Sequence, residues 1–432
     1  MVEHPYRFRE IGVGHYPMGT VELTASDRAR LPETMGLRDP KPLGKLVYVH
    51  IPFCQSICPF CPYPKAYNQP ELRGEYLKSL YAEMELYGRQ PHIAASPVEA
   101  VYFGGGTPTV LSEEEISGLF AALHRFLPLD QVEEITFEGN PASFDAAKAK
   151  LLHSLGVNRI SLGVQTFDDC LASAIGLIHN REQSLAALAA VRDAGIPNLS
   201  IDLMYNLPGQ TPEGFRRDLA EAVELGVDHL TLFPLKVIPG FGLFKRIQSG
   251  ELPPCGGIEE EQELYRIALE VLEQAGYGVE TTYDWAKPGM HHVYSRKHFG
   301  ERKELLALGM GVFGEVHGYA YQNVKSIPEY NRLLAEGVLP VEKGYAVQEE
   351  DRPNQYLAMG LRQTRIDRDD FKRAFGRYPE ELFSERFDRY QAQGLVTISQ
   401  TEISLKRDLG LFWGNNVCKD FCEESFKAAF PK

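Results

Sequence analysis

No apolar run in the chain approaches the ~20 residues of a membrane span, and the opening MVEHPYRFREIG has no apolar core of the signal-peptide kind. Basic residues are in short supply. Lys and Arg number 45 against 59 Asp and Glu, a formal charge of −14. That balance excludes broad, sequence-independent binding to nucleic acid or to an anionic membrane, which needs clustered Lys and Arg. The seven cysteines are odd in number and few for 432 residues, so a disulfide framework is excluded. There is also no low-complexity stretch and no repeat beyond a strand–helix unit. What remains is ordinary globular composition, 44% hydrophobic and 24% charged, in a chain expected to be cytoplasmic and long enough for two or three units.

Strand and helix patterns alternate from Leu46 to Leu235. LVYVHIP, EAVYFGGG, EEITFEGN, RISLGVQT, LSIDLMYNLPG and HLTLFPL read as six strands, each followed by a helix-length segment. Ser112 with Glu115 three residues on is a capping-box signature. Six such units predict an α/β fold with a parallel sheet and right-handed crossovers, a partial (β/α)6 barrel of TIM type. Loops at the strand C-termini then carry the chemistry. The expected organisation is an arm over 1–44, the barrel over 45–290, an extension over 291–345, and a smaller, mainly helical or winged cap over 346–432.

Cys54, Cys58 and Cys61 form C-x3-C-x2-C directly after the first strand. Three thiolates on one loop suit one soft metal centre. With His50 they would make a closed Cys3His zinc site; alone they would hold three corners of a 4Fe–4S cluster and leave one iron open. Cys170, Cys255, Cys418 and Cys422 receive no role.

YVHIPFC-x3-C-x2-C, YFGGGTPT, FEGNP, LGVQTF, IDLMYNLPGQT and WAKPG follow in that order. On these motifs the chain resembles the radical S-adenosylmethionine (SAM) superfamily, in the branch of oxygen-independent coproporphyrinogen oxidase with its haem-chaperone, methyltransferase, cyclopropanase and haem-degrading relatives. The resemblance covers about residues 45 to 330, and GLFWGNNV extends it into the cap. It implies a 4Fe–4S cluster on Cys54, Cys58 and Cys61 whose open iron binds SAM, with reductive cleavage to methionine and a 5′-deoxyadenosyl radical. It implies SAM contacts from Tyr48, beside the sulfonium, and from Phe60, Gly105, Gly106, Thr107, Glu138, Gln165 and Asp202. Met204 matches a contact to a second SAM, so two SAM molecules are allowed. Read without the resemblance, Tyr48 is equally a packed strand aromatic and Asp202 a turn cap.

Three departures narrow the function. The oxidases carry a fourth cysteine where this chain has Tyr63. The haem-linked histidine of the chaperones falls on Tyr294, leaving His291 and His292 as nearby loop histidines expected to be solvated. The family arginine that would pair with the SAM carboxylate falls on Leu177, with Arg181 one turn on as the substitute. The segment 308–323 and Phe412, Trp413, Asn415 and Asn416 are expected to line the cavity. The expected function is transfer of a SAM-derived carbon to an sp² carbon of a planar, tetrapyrrole-like acceptor, by methylation, cyclopropanation or haem ring-opening. The alternatives are coproporphyrinogen oxidation and haem chaperoning. A flavodoxin or ferredoxin is the expected electron donor, with no nucleic-acid or membrane partner.

Overall fold

The computed structural model describes residues 4–41 and 43–423; the first three residues of the arm, Pro42 and the last nine of the cap lie outside the described residues. Six parallel strands are formed by the runs read from the sequence: β1 (Lys45–Ile51), β2 (Val98–Gly105), β3 (Glu134–Gly139), β4 (Arg159–Gln165), β5 (Asn198–Tyr205) and β6 (His229–Pro234). They neighbour one another in chain order. Alternation along each strand explains the layering. Ile160, Leu162 and Val164 on β4 are wholly buried against the helices, while Arg159, Ser161 and Gly163 take the opposite, inward parity. Helices return between strands as expected, and the Ser112–Glu115 capping box is formed at the start of Glu113–Phe126.

The sheet is larger than six strands. Glu304–Leu308 adds in parallel to the free edge of β1. A hairpin of Phe313–Val316 and Tyr319–Asn323, then Val341–Ala346 and Val21–Glu22 of the arm, continue it antiparallel on that side, and Asp284–Ala286 and Gly278–Val279 extend it beyond β6, thirteen strands in all among the described residues. Most of the 308–323 segment is thus sheet, while residues 309–312 form the loop at the C-terminal end of the added parallel strand, where a Cβ on Gly311 would lie 3.2 Å from Pro64 of the cysteine loop. Tyr321 is fully buried and donates its hydroxyl to Ala307 O at 2.9 Å.

The cap packs three antiparallel strands, Arg365–Asp367, Val396–Ile398 and Glu402–Leu405, beside helices at Arg352–Gly360, Arg368–Phe375 and Ser384–Ala392. It matches the helical and winged expectation. The arm runs between barrel and cap. Arg9 is buried there: its Nη1 lies 3.1 Å from Glu261 and its Nε donates to Phe412 O at 2.7 Å. Its guanidinium sits over the rings of Phe412 and Tyr265, at 4.7 and 5.0 Å. Asn416 bonds Phe8 O and Glu10 N, and Asn415 accepts from Thr282. The expectation that Phe412, Trp413, Asn415 and Asn416 line a cavity is thus corrected. Their side chains clamp the arm, because its extended backbone needs hydrogen-bond partners.

Candidate active site at the barrel mouth

The three-cysteine loop folds back on the strand ends. Phe53–Cys54 pairs in parallel with Ala66–Tyr67, closing the loop at its base. Gly106 N donates to Ile51 O and Thr107 N to Phe53 O, at 2.8 and 2.9 Å, which joins the loop to the end of β2. Two glycines make that junction possible. A Cβ on Gly106 would stand 2.7 Å from Pro52 backbone, and one on Gly105, at φ +116°, would strike the His50 ring. His50 Nε2 lies 3.2 Å from Pro64 O, so the imidazole braces the loop from behind. The zinc reading needed His50 as a ligand, and this engagement speaks against it. Among the described residues no three His, Cys, Asp or Glu side chains form a ready single-ion site.

Burial, then the charges of Cys61 and Cys54, push the Cys58 thiol up to about 11, with Lys65 opposing. Burial likewise raises Cys54, against a hydrogen bond from Thr107. Thiols that resist ionisation in one another's company are a donor set that a cationic iron centre relieves. The three residues therefore fit a 4Fe–4S cluster, and Lys65, bonded to Tyr63 O at 3.0 Å, helps hold the loop's turn.

Beneath the loop lies a row of inward polar side chains. Glu138, at the end of β3, accepts from Tyr102 hydroxyl at 2.5 Å and from Gly105 N at 3.2 Å. Burial raises its pKa, against these two bonds and Arg159. Asp202 on β5 accepts from Ser161 at 3.3 Å. Burial, followed by the Glu138 charge, pushes it up to about 7, again against Arg159. Tyr48 stacks on Tyr102 at 5.9 Å. Gln165 sits at φ +67°, a left-handed conformation that costs a non-glycine residue energy and concentrates at functional sites. Gly105, Gly106, Thr107, Glu138 and Gln165 thus stand at the C-terminal ends of neighbouring strands with the cysteine loop, and Tyr48 and Asp202 sit further along their strands, toward the middle of the sheet.

Phe60, Met204 and Leu177 meet elsewhere on the rim, in an apolar cluster with Ile175, Leu207, Leu235 and Leu243. That environment explains Leu177: an arginine there would place its charge in an apolar wall. Arg181 does not take over. Its half-exposed guanidinium is 2.6 Å from Glu221 on the outer surface.

Sequence reasoning missed the layer below. Arg159 is 1% exposed, and its Nη2 lies 3.2 Å from His229 Nδ1. His292 is not a solvated loop residue. It packs against Tyr102 at 5.6 Å and His229 at 5.8 Å, and burial holds its pKa well below the usual value. Tyr294 lies 5.2 Å from Tyr102. Period-two alternation of Arg159, Ser161 and Gly163 was the available signal for this row.

A model of the Radical SAM superfamily matches residues 48–222, and a model of the HemN C-terminal domain matches 347–412. The heme chaperone HemW of Bacillus subtilis is 32% identical over 88% of this chain and 100% of its own length. The anaerobilin synthase of Escherichia coli O157:H7 is 25% identical over 94% and 90%. The oxygen-independent coproporphyrinogen III oxidase of Pseudomonas aeruginosa is 29% identical over 85% and 84%. Among solved structures, the coproporphyrinogen III oxidase HemN of Escherichia coli superposes with a TM-score of 0.78 at 26% identity, covering 90% of this chain and 92% of that one.

Proposed function

The chain belongs to the radical SAM superfamily, in its HemN/HemW coproporphyrinogen oxidase-like branch, and from that membership we propose that it is a radical SAM protein whose second ligand is haem or a closely related tetrapyrrole. The observation that carries the reading is the cysteine loop hydrogen-bonded onto the end of β2, where Gly105 N in turn donates to the buried carboxylate of Glu138. Cys54, Cys58 and Cys61 would hold the cluster, which with SAM supplies a carbon radical inside the barrel. This chain's own residues do the rest. Glu138 presents one carboxylate to the ammonium of SAM and Asp202 presents another to its ribose hydroxyls, while Tyr48 lies alongside. Buried carboxylates need such partners. The reacting atoms would have to be fenced from water.

The relatives favour haem chaperoning and porphyrinogen oxidation ahead of the methyl or methylene transfer expected from the sequence. HemW matches over its whole length, and the oxidases align over most of theirs. Tyr63 in place of a fourth cysteine argues against oxidation. Tyr294 in place of the chaperone histidine argues against a HemW-like haem contact. Haem ring-opening is the carbon-transfer variant that an anaerobilin synthase among the relatives supports.

The deciding experiment incubates reconstituted protein anaerobically with labelled SAM, a flavodoxin or chemical reductant, and either haem or coproporphyrinogen. Haem loss with 5′-deoxyadenosine and S-adenosylhomocysteine means carbon transfer. Vinyl product with CO2 means oxidation, and haem retained without SAM cleavage means chaperoning. Failure to bind either tetrapyrrole would sink the reading.

A pH dependence follows from Asp202. Its carboxyl titrates near 7 in the ligand-free protein, and ribose hydroxyls donate to the ionised form. SAM affinity should therefore rise with pH up to about 7 and level off above. Below that it should fall by as much as about tenfold per pH unit. Equilibrium dialysis of unreduced protein between pH 5.5 and 8.5 checks this, and Asp202→Asn should remove the Asp202 part of the acid limb, leaving only the part that Glu138 sets. A flat wild-type profile would count against Asp202 as a SAM contact.

A further inference from the structure

Glu138 is held by two donors, and the side chain among them is the tyrosine that opens the YFGGGTPT run. Tyr102 sits two residues before the first glycine of GGGTP, in register with Tyr48 on the adjacent parallel strand. Its ring is packed between Tyr48, nearly coplanar at 18°, and Tyr294. Two aromatic faces leave it little rotational freedom, so its hydroxyl is aimed in one direction. That direction is Glu138 Oε1, at 2.5 Å, the short distance of an O–H bond to an ionised carboxylate. Gly105 N takes the other oxygen at 3.2 Å. Gly104 makes the crossing possible: a Cβ there would lie 2.9 Å from both Glu138 Oε2 and the Tyr102 ring.

We propose that Tyr102 is a positioning residue for SAM binding: through its hydroxyl it fixes the Glu138 carboxylate in the orientation and ionisation state that receive the SAM ammonium. The inference rests on Glu138 being a SAM contact and names what makes it one. A glutamate has three side-chain torsions between its backbone and its oxygens, and a single amide bond does not fix them all. Tyr102 removes the remaining freedom and offsets the cost of keeping the anion away from water. Gly104 belongs to the same device, since it supplies the space across which the two side chains meet. The titratable and charged groups facing Glu138 are Tyr102, Tyr48, Tyr294 and Tyr63, with Asp202 and Arg159. Of these only Arg159 and the Tyr102 hydroxyl favour the ionised form. Loss of the hydroxyl alone should therefore raise the pH at which Glu138 ionises and leave the aromatic packing intact.

The test is SAM affinity of the reconstituted, unreduced protein, measured by equilibrium dialysis against pH, so that no turnover is required. Tyr102→Phe should weaken SAM binding about 10- to 100-fold near neutral pH, the scale of one hydrogen bond to a charged group. The acid limb of its binding profile should move to higher pH, with iron content and thermal midpoint unchanged. Glu138→Gln should weaken SAM binding by at least as much, and the double variant should be no worse than Glu138→Gln alone. Gly104→Ala keeps both side chains and crowds the carboxylate instead, so it should reproduce the affinity loss and decides the matter should Tyr102→Phe lose iron. If Glu138→Gln weakens binding while Tyr102→Phe and Gly104→Ala match the wild type in affinity and pH profile, the positioning role is overturned. If Glu138→Gln itself binds SAM normally, the SAM-contact reading falls with it.

Discussion

Replacing Cys58 by alanine is expected to strip the protein of its brown colour, its iron and its acid-labile sulfide, and to abolish reductive SAM cleavage to the detection limit. No neighbouring side chain can rescue the lost corner. Cys54 is buried at the loop's base, Cys61 is the remaining partner, and Cys170, exposed on the outside, lies on a helix beyond β4. His50 is held behind the loop on Pro64. A cluster with two protein thiolates is undersupplied, because three-cysteine loops already leave one iron without a protein ligand. The fold should survive. The loop is pinned at both ends by backbone bonds, Ala66 N to Pro52 O at 2.7 Å and Thr107 N to Phe53 O at 2.9 Å, and a thiol-to-methyl change at a partly exposed position removes little packing. Iron and sulfide assays with circular dichroism separate the outcomes. Retention of stoichiometric iron in Cys58→Ala would refute the three-thiol assignment.

The second large effect concerns stability. Glu83 is fully buried behind β1, where its carboxylate accepts from Gly309 N and Asn323 Nδ2, both at 2.7 Å, and from Tyr330 hydroxyl at 2.5 Å. Those three donors belong to the loop after Glu304–Leu308, to the hairpin, and to the helix Ile327–Ala335. One side chain therefore ties three elements to the helix Pro70–Gly88. Glu83→Ala takes the acceptor from all three groups, of which Asn323 Nδ2 alone keeps a second bond, to Gly309 O at 2.8 Å, and opens a cavity, at a cost of about 3–5 kcal/mol. The pH sign is fixed by burial, which pushes the Glu83 pKa up to about 7 from an ordinary 4.5. The folded state holds this proton more tightly than the unfolded chain, so wild-type stability falls as pH rises from about 4.5 to 7 and then stays flat. The deficit of Glu83→Ala should accordingly be largest near pH 5 and smaller at pH 8. Urea unfolding at the two pH values measures it; a deficit that grows with pH would contradict the buried, raised carboxyl.

Much of this architecture is legible from residues alone, for a physical reason. Parallel strands buried on their outer face, such as ISLGV and IDLMY, carry an apolar pattern that no loop needs, and turn glycines punctuate them. The cysteine spacing and the GGG run are legible because metal ligation and close backbone approach restrict residue type severely. Other parts depend on contacts far apart in sequence. ELLAL at 304–308 reads as strand or helix with equal ease, and only its pairing with β1 decides it. Arg9 looks like any arginine in an irregular arm until Glu261 arrives from the middle of the chain and Phe412 from its other end. Arg159 sits at the strand N-termini, away from the loops that carry the chemistry, and His292 reads as a solvated loop residue until Tyr102 and His229 pack against it. Leu177 reads as a missing arginine, yet in the fold it is an apolar neighbour of Phe60 and Met204.

The parallel pairing of Glu304–Leu308 with Lys45–Ile51 has a consequence for how the molecule is made. The first barrel strand leaves the ribosome with one neighbour due about 50 residues later and the other about 260 residues later, by the spacing of these segments. At roughly 5–20 residues per second of synthesis, one edge of β1 waits about 13 to 50 s for its partner. An unpaired apolar edge held that long is a template for pairing with other chains. Val47, Val49 and Ile51 place such an apolar row beside the cysteine loop. Early chain-holding and late edge closure, rather than barrel assembly as such, should therefore set the yield of intact protein from the ribosome.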